Sequence, residues 1–166
     1  NKKFNFIKKN SNLLDIGSTP GGWSQVASKI ITNGKIISVD ILPMKTIDNV
    51  TFLKEDFLEE KTQKNILKIF NKKIDVIISD MAENTTGNKS VDSIRTNSLC
   101  SEVIKFSLQM LTQNGTIVCK LFMGEDFLEV KNFAKQNFKN VEFFKPESSR
   151  SESKETYIYC SLLKTL

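Results

Sequence analysis

The stretch 12-NLLDIGSTPGGW-23 decides the fold. Its first half is a short apolar run that closes on an acid and a glycine, and its second half is a tight turn with two more glycines. A helical period of apolar residues follows from Ser24 to Ile31, Asn33-Gly34 stops it, and 35-KIISVD-40 reads as a second buried strand closing on an acid. This is a β-α-β unit. Its strands are apolar on both faces, as required where helices cover both sides of a parallel sheet.

Outward from that unit the alternation repeats. The run 50-VTFLKED-56 is a third strand, 58-LEEKTQKNILKIF-70 a helix, and 74-IDVIISD-80 a fourth strand followed by the aperiodic loop 81-MAENTTGNKSV-91. A long helix is predicted from Asp92 to Leu111, ended by Asn114-Gly115, with 116-TIVCKLF-122 as a fifth strand and a further helix from Asp126 to Ala134. The chain closes with 140-NVEFFK-145 and 155-ETYIYCSLL-163, a terminal antiparallel pair joined by the polar 146-PESSRSESK-154.

Composition bounds what this fold does. At 166 residues, one domain over 1–166 is expected, and 39% hydrophobic residues with 12 Phe suffice for a core. No apolar run approaches the roughly 20 residues that span a bilayer, so no membrane partner is expected. The balance of 24 basic against 19 acidic side chains gives +5, which permits an anionic partner. Only two of the bases are arginines, Arg95 and Arg150, which singles them out. The absence of His excludes the Ser-His-Asp triad and the Cys-His pair. Cys100, Cys119 and Cys160 have neither metal-ligand nor paired spacing, so neither a metal site nor a disulfide framework is expected.

Four acids, Asp15, Asp40, Asp56 and Asp80, stand at carboxyl ends of predicted strands, the edge where a doubly wound sheet takes its ligand. The glycines alone fit an ordinary structural turn as well as a ligand cradle. An edge this acidic, with Lys45 as its one nearby base, repels a dinucleotide's pyrophosphate and suits an adenosine compound that carries an ammonium and a sulfonium. S-adenosylmethionine is therefore favoured over NAD, with Asp40 on the ribose, Asp56 on the adenine amino group, and the Gly17, Pro20, Gly21, Gly22 and Trp23 segment on the methionyl part. Asp15, Ile41, Phe57 and Asp80 complete the expected cofactor set.

The segments 15-DIGSTPGGWSQ-25, 40-DILPM-44, 80-DMAENTTG-87, 118-VCKLFMGE-125 and 145-KPESSRSESKETY-157 resemble the FtsJ/RrmJ-type ribose 2′-O-methyltransferases, above all the branch that modifies a uridine of large-subunit ribosomal RNA. The resemblance runs from about Lys8 to Tyr159. It implies a Rossmann-like α/β methyltransferase fold with a seven-stranded, mostly parallel sheet and an antiparallel last strand. It also implies S-adenosylmethionine as donor, and ribosomal RNA or a pre-ribosomal particle as partner of a monomer. Related transfer-RNA and cap enzymes share the catalytic set, and an idle RNA-binding or assembly protein would share the fold.

The resemblance implies a catalytic series of Lys, Asp, Lys, Glu. Its last three members fall on Asp80, Lys120 and Glu155; the first would precede Asn1, on a helix absent from this sequence. Lys2 and Lys3 stand too close to Asp15 to fill that role. Glu83 departs from the family pattern, where proline is common. Arg95, Arg150 and Lys154 are the expected contacts to RNA phosphates, while Trp23 either stacks on a base or anchors its own turn. Lys120 lies in an apolar strand, so desolvation together with a second nearby cation is expected to lower its pKa and make it the base for the ribose hydroxyl.

Overall fold

The computed structural model describes residues 3–82, 86–124, 126–146 and 155–164. The elements are β1 (Leu13–Ile16), α1 (Gly22–Ile30), β2 (Ile36–Asp40), β3 (Val50–Lys54), α2 (Glu60–Phe70), β4 (Ile74–Ser79), α3 (Lys89–Met110), β5 (Leu111–Phe122), α4 (Phe127–Asn137), β6 (Phe138–Phe144) and β7 (Glu155–Leu163). They form one seven-stranded sheet in the order β3-β2-β1-β4-β5-β7-β6. The pairs β1/β2, β2/β3, β1/β4 and β4/β5 are parallel, and β7 runs antiparallel to both β5 and β6. This is the Rossmann-like methyltransferase sheet expected from the sequence. The terminal antiparallel pair is present, with β7 inserted between β5 and β6.

Period-2 alternation splits the central strands between two cores. Leu14, Ile16, Ile37 and Val39 face the larger one with Ile66 and Phe70 of α2, Val103 and Ile104 of α3, and Val130 of α4. Leu13 and Ile36 face the smaller one with Ala27 of α1 and Ile7 of the leading segment. Residues on both faces of β1 are fully buried, which is why the sequence reads there as continuous rather than alternating hydrophobicity. The edge strand β3 has no such burial.

Boundaries shift in two places. α3 begins at Lys89, three residues ahead of Asp92, because the Asn88 side chain accepts from the Ser90 and Val91 amides and caps it there. It ends at Met110 rather than at Asn114-Gly115. Buried Leu111 is already in register with Ile74, and the strand then bulges before Thr116 rejoins β4 opposite Val76. Among the described residues no helix is long and apolar enough to cross a membrane.

Candidate active site

The sheet order reverses between β1 and β4, and the carboxyl ends beside that switch enclose a cavity of about 680 Å³. Gly17 from the β1 turn, Asp40 and Ile41 from the β2 end, Asp56 and Phe57 after β3, and Asp80 after β4 line it. Six members of the expected cofactor set therefore share one wall. Gly17 sits at φ +70°, and a Cβ there would lie 2.8 Å from Met81 Cγ, so the β1 and β4 loops approach as closely as they do only because this residue is glycine.

Asp40 organises the turn that it faces. Its Oδ2 accepts from the Thr19 amide at 2.9 Å and its Oδ1 from the Leu42 amide at 2.8 Å, while the Gly17 amide donates to the Val39 carbonyl at 2.9 Å. Each carboxylate oxygen keeps a second lone pair for a diol. Asp56 accepts from the Leu58 amide at 2.9 Å and is exposed to the cavity. The Phe57 ring packs edge-on against Phe106, 5.3 Å between centroids, so it belongs as much to the core as to the wall.

Asp15, Pro20, Gly21, Gly22 and Trp23 do not line the cavity. Asp15 is wholly buried beneath it on the α1 side, where the Ser24 hydroxyl donates to Oδ2 at 2.5 Å and lies 2.6 Å from the Ser38 hydroxyl. Among the described residues its Oδ1 has no hydrogen-bond partner, and burial, the largest influence, pushes its carboxyl up to about 7. Trp23 packs against Tyr157, 5.6 Å between rings, and anchors α1 to β7.

Beside the cavity the three expected catalytic residues come together. Lys120 Nζ lies 2.8 Å from Asp80 Oδ1 and 2.9 Å from Glu155 Oε1, with its side chain 13% exposed. β4 supplies Asp80, β5 supplies Lys120, and the antiparallel register that sets Lys120 opposite Tyr157 and Phe122 opposite Glu155 brings in the β7 end. The expectation for the lysine's acidity is corrected here. Burial does pull the Lys120 pKa down, but its hydrogen bonds to Asp80 and Glu155 outweigh burial, and the ammonium is held above the ordinary lysine value.

Tyr157 is a member of this network that sequence reasoning missed. Its hydroxyl donates to Asp80 Oδ1 at 2.9 Å, and burial together with the Asp80 charge pushes its pKa upward. The available signal was the period of β7, which puts Tyr157 on the same face as Glu155. Arg95 lies on the α3 wall of the cavity beside Leu99. Arg150, Lys154 and Glu83 lie outside the described residues.

The family model for FtsJ-like methyltransferase matches residues 1–162. The chain belongs to the FtsJ-like methyltransferase family. It is 42% identical over 163 residues to the Ribosomal RNA large subunit methyltransferase E of Pelagibacter ubique, covering 98% of this chain and 80% of that relative. A Plasmodium falciparum structure described as a ribosomal RNA methyltransferase superposes with a TM-score of 0.87 at 32% identity, covering 98% of this chain and 91% of that one. A Streptococcus mutans protein solved in complex with SAH is 18% identical, with a TM-score of 0.58 over 95% of this chain and 90% of its own; at that identity it shares the fold alone. The FtsJ-like assignment thus agrees with the sheet order.

Proposed function

We infer that this FtsJ-like chain transfers a methyl group from S-adenosylmethionine to the 2′-hydroxyl of a ribose in RNA, with a uridine of large-subunit ribosomal RNA as the substrate. The observation that carries the reading is Lys120 held between Asp80 and Glu155 at the rim of the acidic cavity. The cavity's donor set fits the cofactor. Asp40 and Asp56 present carboxylate lone pairs to hydroxyl and amino donors, and the glycine at position 17 leaves room for close backbone approach. Asp40 would hold the ribose, Asp56 the adenine amino group, and the Gly17 turn the methionyl portion. When bound, S-adenosylmethionine supplies an electrophilic methyl group on a sulfonium.

What remains for the protein is to align a weak nucleophile and receive its proton. In the resting geometry Lys120 is an ammonium, because two carboxylates outweigh burial. A ribose hydroxyl that enters the cluster displaces one of those carboxylate contacts. With one carboxylate contact gone, burial weighs more heavily against the charged form, and Nζ gives up its proton to solvent. The neutral amine accepts the hydroxyl proton as the oxygen attacks. Tyr157 and Asp80 keep the amine on line, and Arg95, Arg150 and Lys154 hold RNA phosphates around it.

Nucleoside mass spectrometry of ribosomal RNA from cells with and without the gene tests this. Loss of one 2′-O-methyluridine from the large subunit is the expected result. An unchanged ribosomal RNA, with 2′-O-methylation lost from transfer RNA instead, would move the substrate to another branch of the family.

A further inference from the structure

β5 runs past its neighbour. Its parallel pairing with β4 stops at Ser79 opposite Cys119, whereas its antiparallel pairing with β7 continues to Phe122 opposite Glu155. The Asp80 amide turns away to the Ile16 carbonyl. The last two residues of β5, Leu121 and Phe122, therefore have a strand on one side only, and main-chain groups on the other side need partners.

A single side chain meets that need. Asn97, wholly buried in the middle of α3, accepts from the Phe122 amide at 2.8 Å and donates to the Phe122 carbonyl at 3.0 Å. It does for Phe122 what a continuing strand would do. The same amide nitrogen donates to Asp126 Oδ1 at 2.9 Å, at the residue that precedes α4. Gly124 is pressed onto α3 as well, since a Cβ there would fall 1.9 Å from Ser93 Oγ.

Resting on the functional reading above, we propose that Asn97 is a positioning residue for methyl transfer: it clamps the free end of β5 to α3 and α4 and so holds Lys120 in line with Asp80 and Glu155. It touches neither the cavity nor the cluster itself. Releasing the clamp lets the strand end fray two residues beyond Lys120, where a displacement of about 1 Å costs on the order of 100-fold in rate.

The test uses Asn97→Asp, Asp126→Asn and the double variant. Asn97→Asp keeps the acceptor for the Phe122 amide, removes both donated bonds and sets two carboxylates together; Asp126→Asn returns a donor to that pair. Single-turnover methylation by Asn97→Asp should fall about tenfold or more, with S-adenosylhomocysteine affinity within about threefold of the parent. The double variant should recover about fivefold over Asn97→Asp. Amide exchange at Phe122 should quicken in Asn97→Ala, a readout independent of turnover. Parallel losses of affinity and rate, undiminished turnover in Asn97→Asp, a double variant no better than Asn97→Asp, or unchanged exchange at Phe122 would each overturn the clamp. A parent that binds S-adenosylhomocysteine yet methylates no ribosomal RNA would instead defeat the functional reading.

Discussion

The two halves of the site are built by different means. The cofactor side, from β1 to the loop after β3, is shaped by main-chain groups and near neighbours: Thr19 bonds Asp40 across 21 residues, and Ser24 bonds Asp15 across 9. The reactive side is shaped by side chains from distant strands, with Tyr157 reaching Asp80 across 77 residues. Acids also fare differently in the two halves. Asp15 is buried with no cation beside it among the described residues and is pushed towards neutrality, whereas Asp80 and Glu155 flank an ammonium and hold it charged. A carboxylate on the first side fixes a loop, and one on the second side sets a proton's position.

The largest expected effect lies on the reactive side. Lys120→Ala should cut the methyl-transfer rate by about 10³-fold, the usual scale for losing a proton acceptor, and leave S-adenosylhomocysteine affinity within about threefold. Single-turnover kinetics paired with calorimetry separates the two quantities. Equal losses would erase the division between the halves.

Asp15 sharpens it next. Its carboxyl titrates near the ordinary 3.8 when unfolded and near 7 when folded, so between those values the folded chain holds a proton that the unfolded chain has lost. Stability contributed by this group therefore falls as pH rises through that window and is flat above it. Urea unfolding of the parent and Asp15→Asn should show the variant gaining roughly 4 kcal/mol relative to the parent between pH 4 and 7.5. A difference that stays level with pH means that the buried carboxyl is charged in the fold.

Asp40→Ala should be milder and opposite in kind to Lys120→Ala. Freeing the Thr19 and Leu42 amides loosens the turn, and S-adenosylhomocysteine affinity should drop about 10- to 100-fold, while the saturated complex reacts within about threefold of the parent rate. The smallest effect belongs to Tyr157→Phe, which keeps the ring contacts with Trp23 and Phe144 but removes one bond to Asp80. A rate loss of about three- to tenfold with an unshifted melting curve is expected; no loss would leave the tyrosine a packing residue.

The same contrast explains what the sequence disclosed. The doubly wound alternation was legible because each strand is a short apolar run punctuated by glycine or an acid, and Gly17 and Asp40 could be placed because their partners lie within one β-α-β unit. The joining of Asp80, Lys120 and Glu155 came from motif resemblance, since no local pattern brings three distant strands together. Lys120's protonation was misjudged because burial is visible in an apolar run, while two carboxylates arriving from β4 and β7 are not. Asn97 left no trace either: a polar residue within a helix of mixed character reads as surface until the overhanging end of β5 is seen beside it. Nor did the bulge after Leu111, where Asn114-Gly115 mimics a helix stop.

The central claim is that the Lys120 cluster directs a methyl group to a ribose oxygen. Its most direct test supplies the protein with S-adenosylmethionine carrying an isotopically labelled methyl group and with large-subunit ribosomal RNA lacking the modification, then locates the label by nucleoside mass spectrometry, parent beside Lys120→Ala. Label on the 2′-oxygen of a single uridine, formed by the parent and lost in the variant, is the predicted result; label on a base, or equal 2′-O-labelling by both proteins, would contradict it.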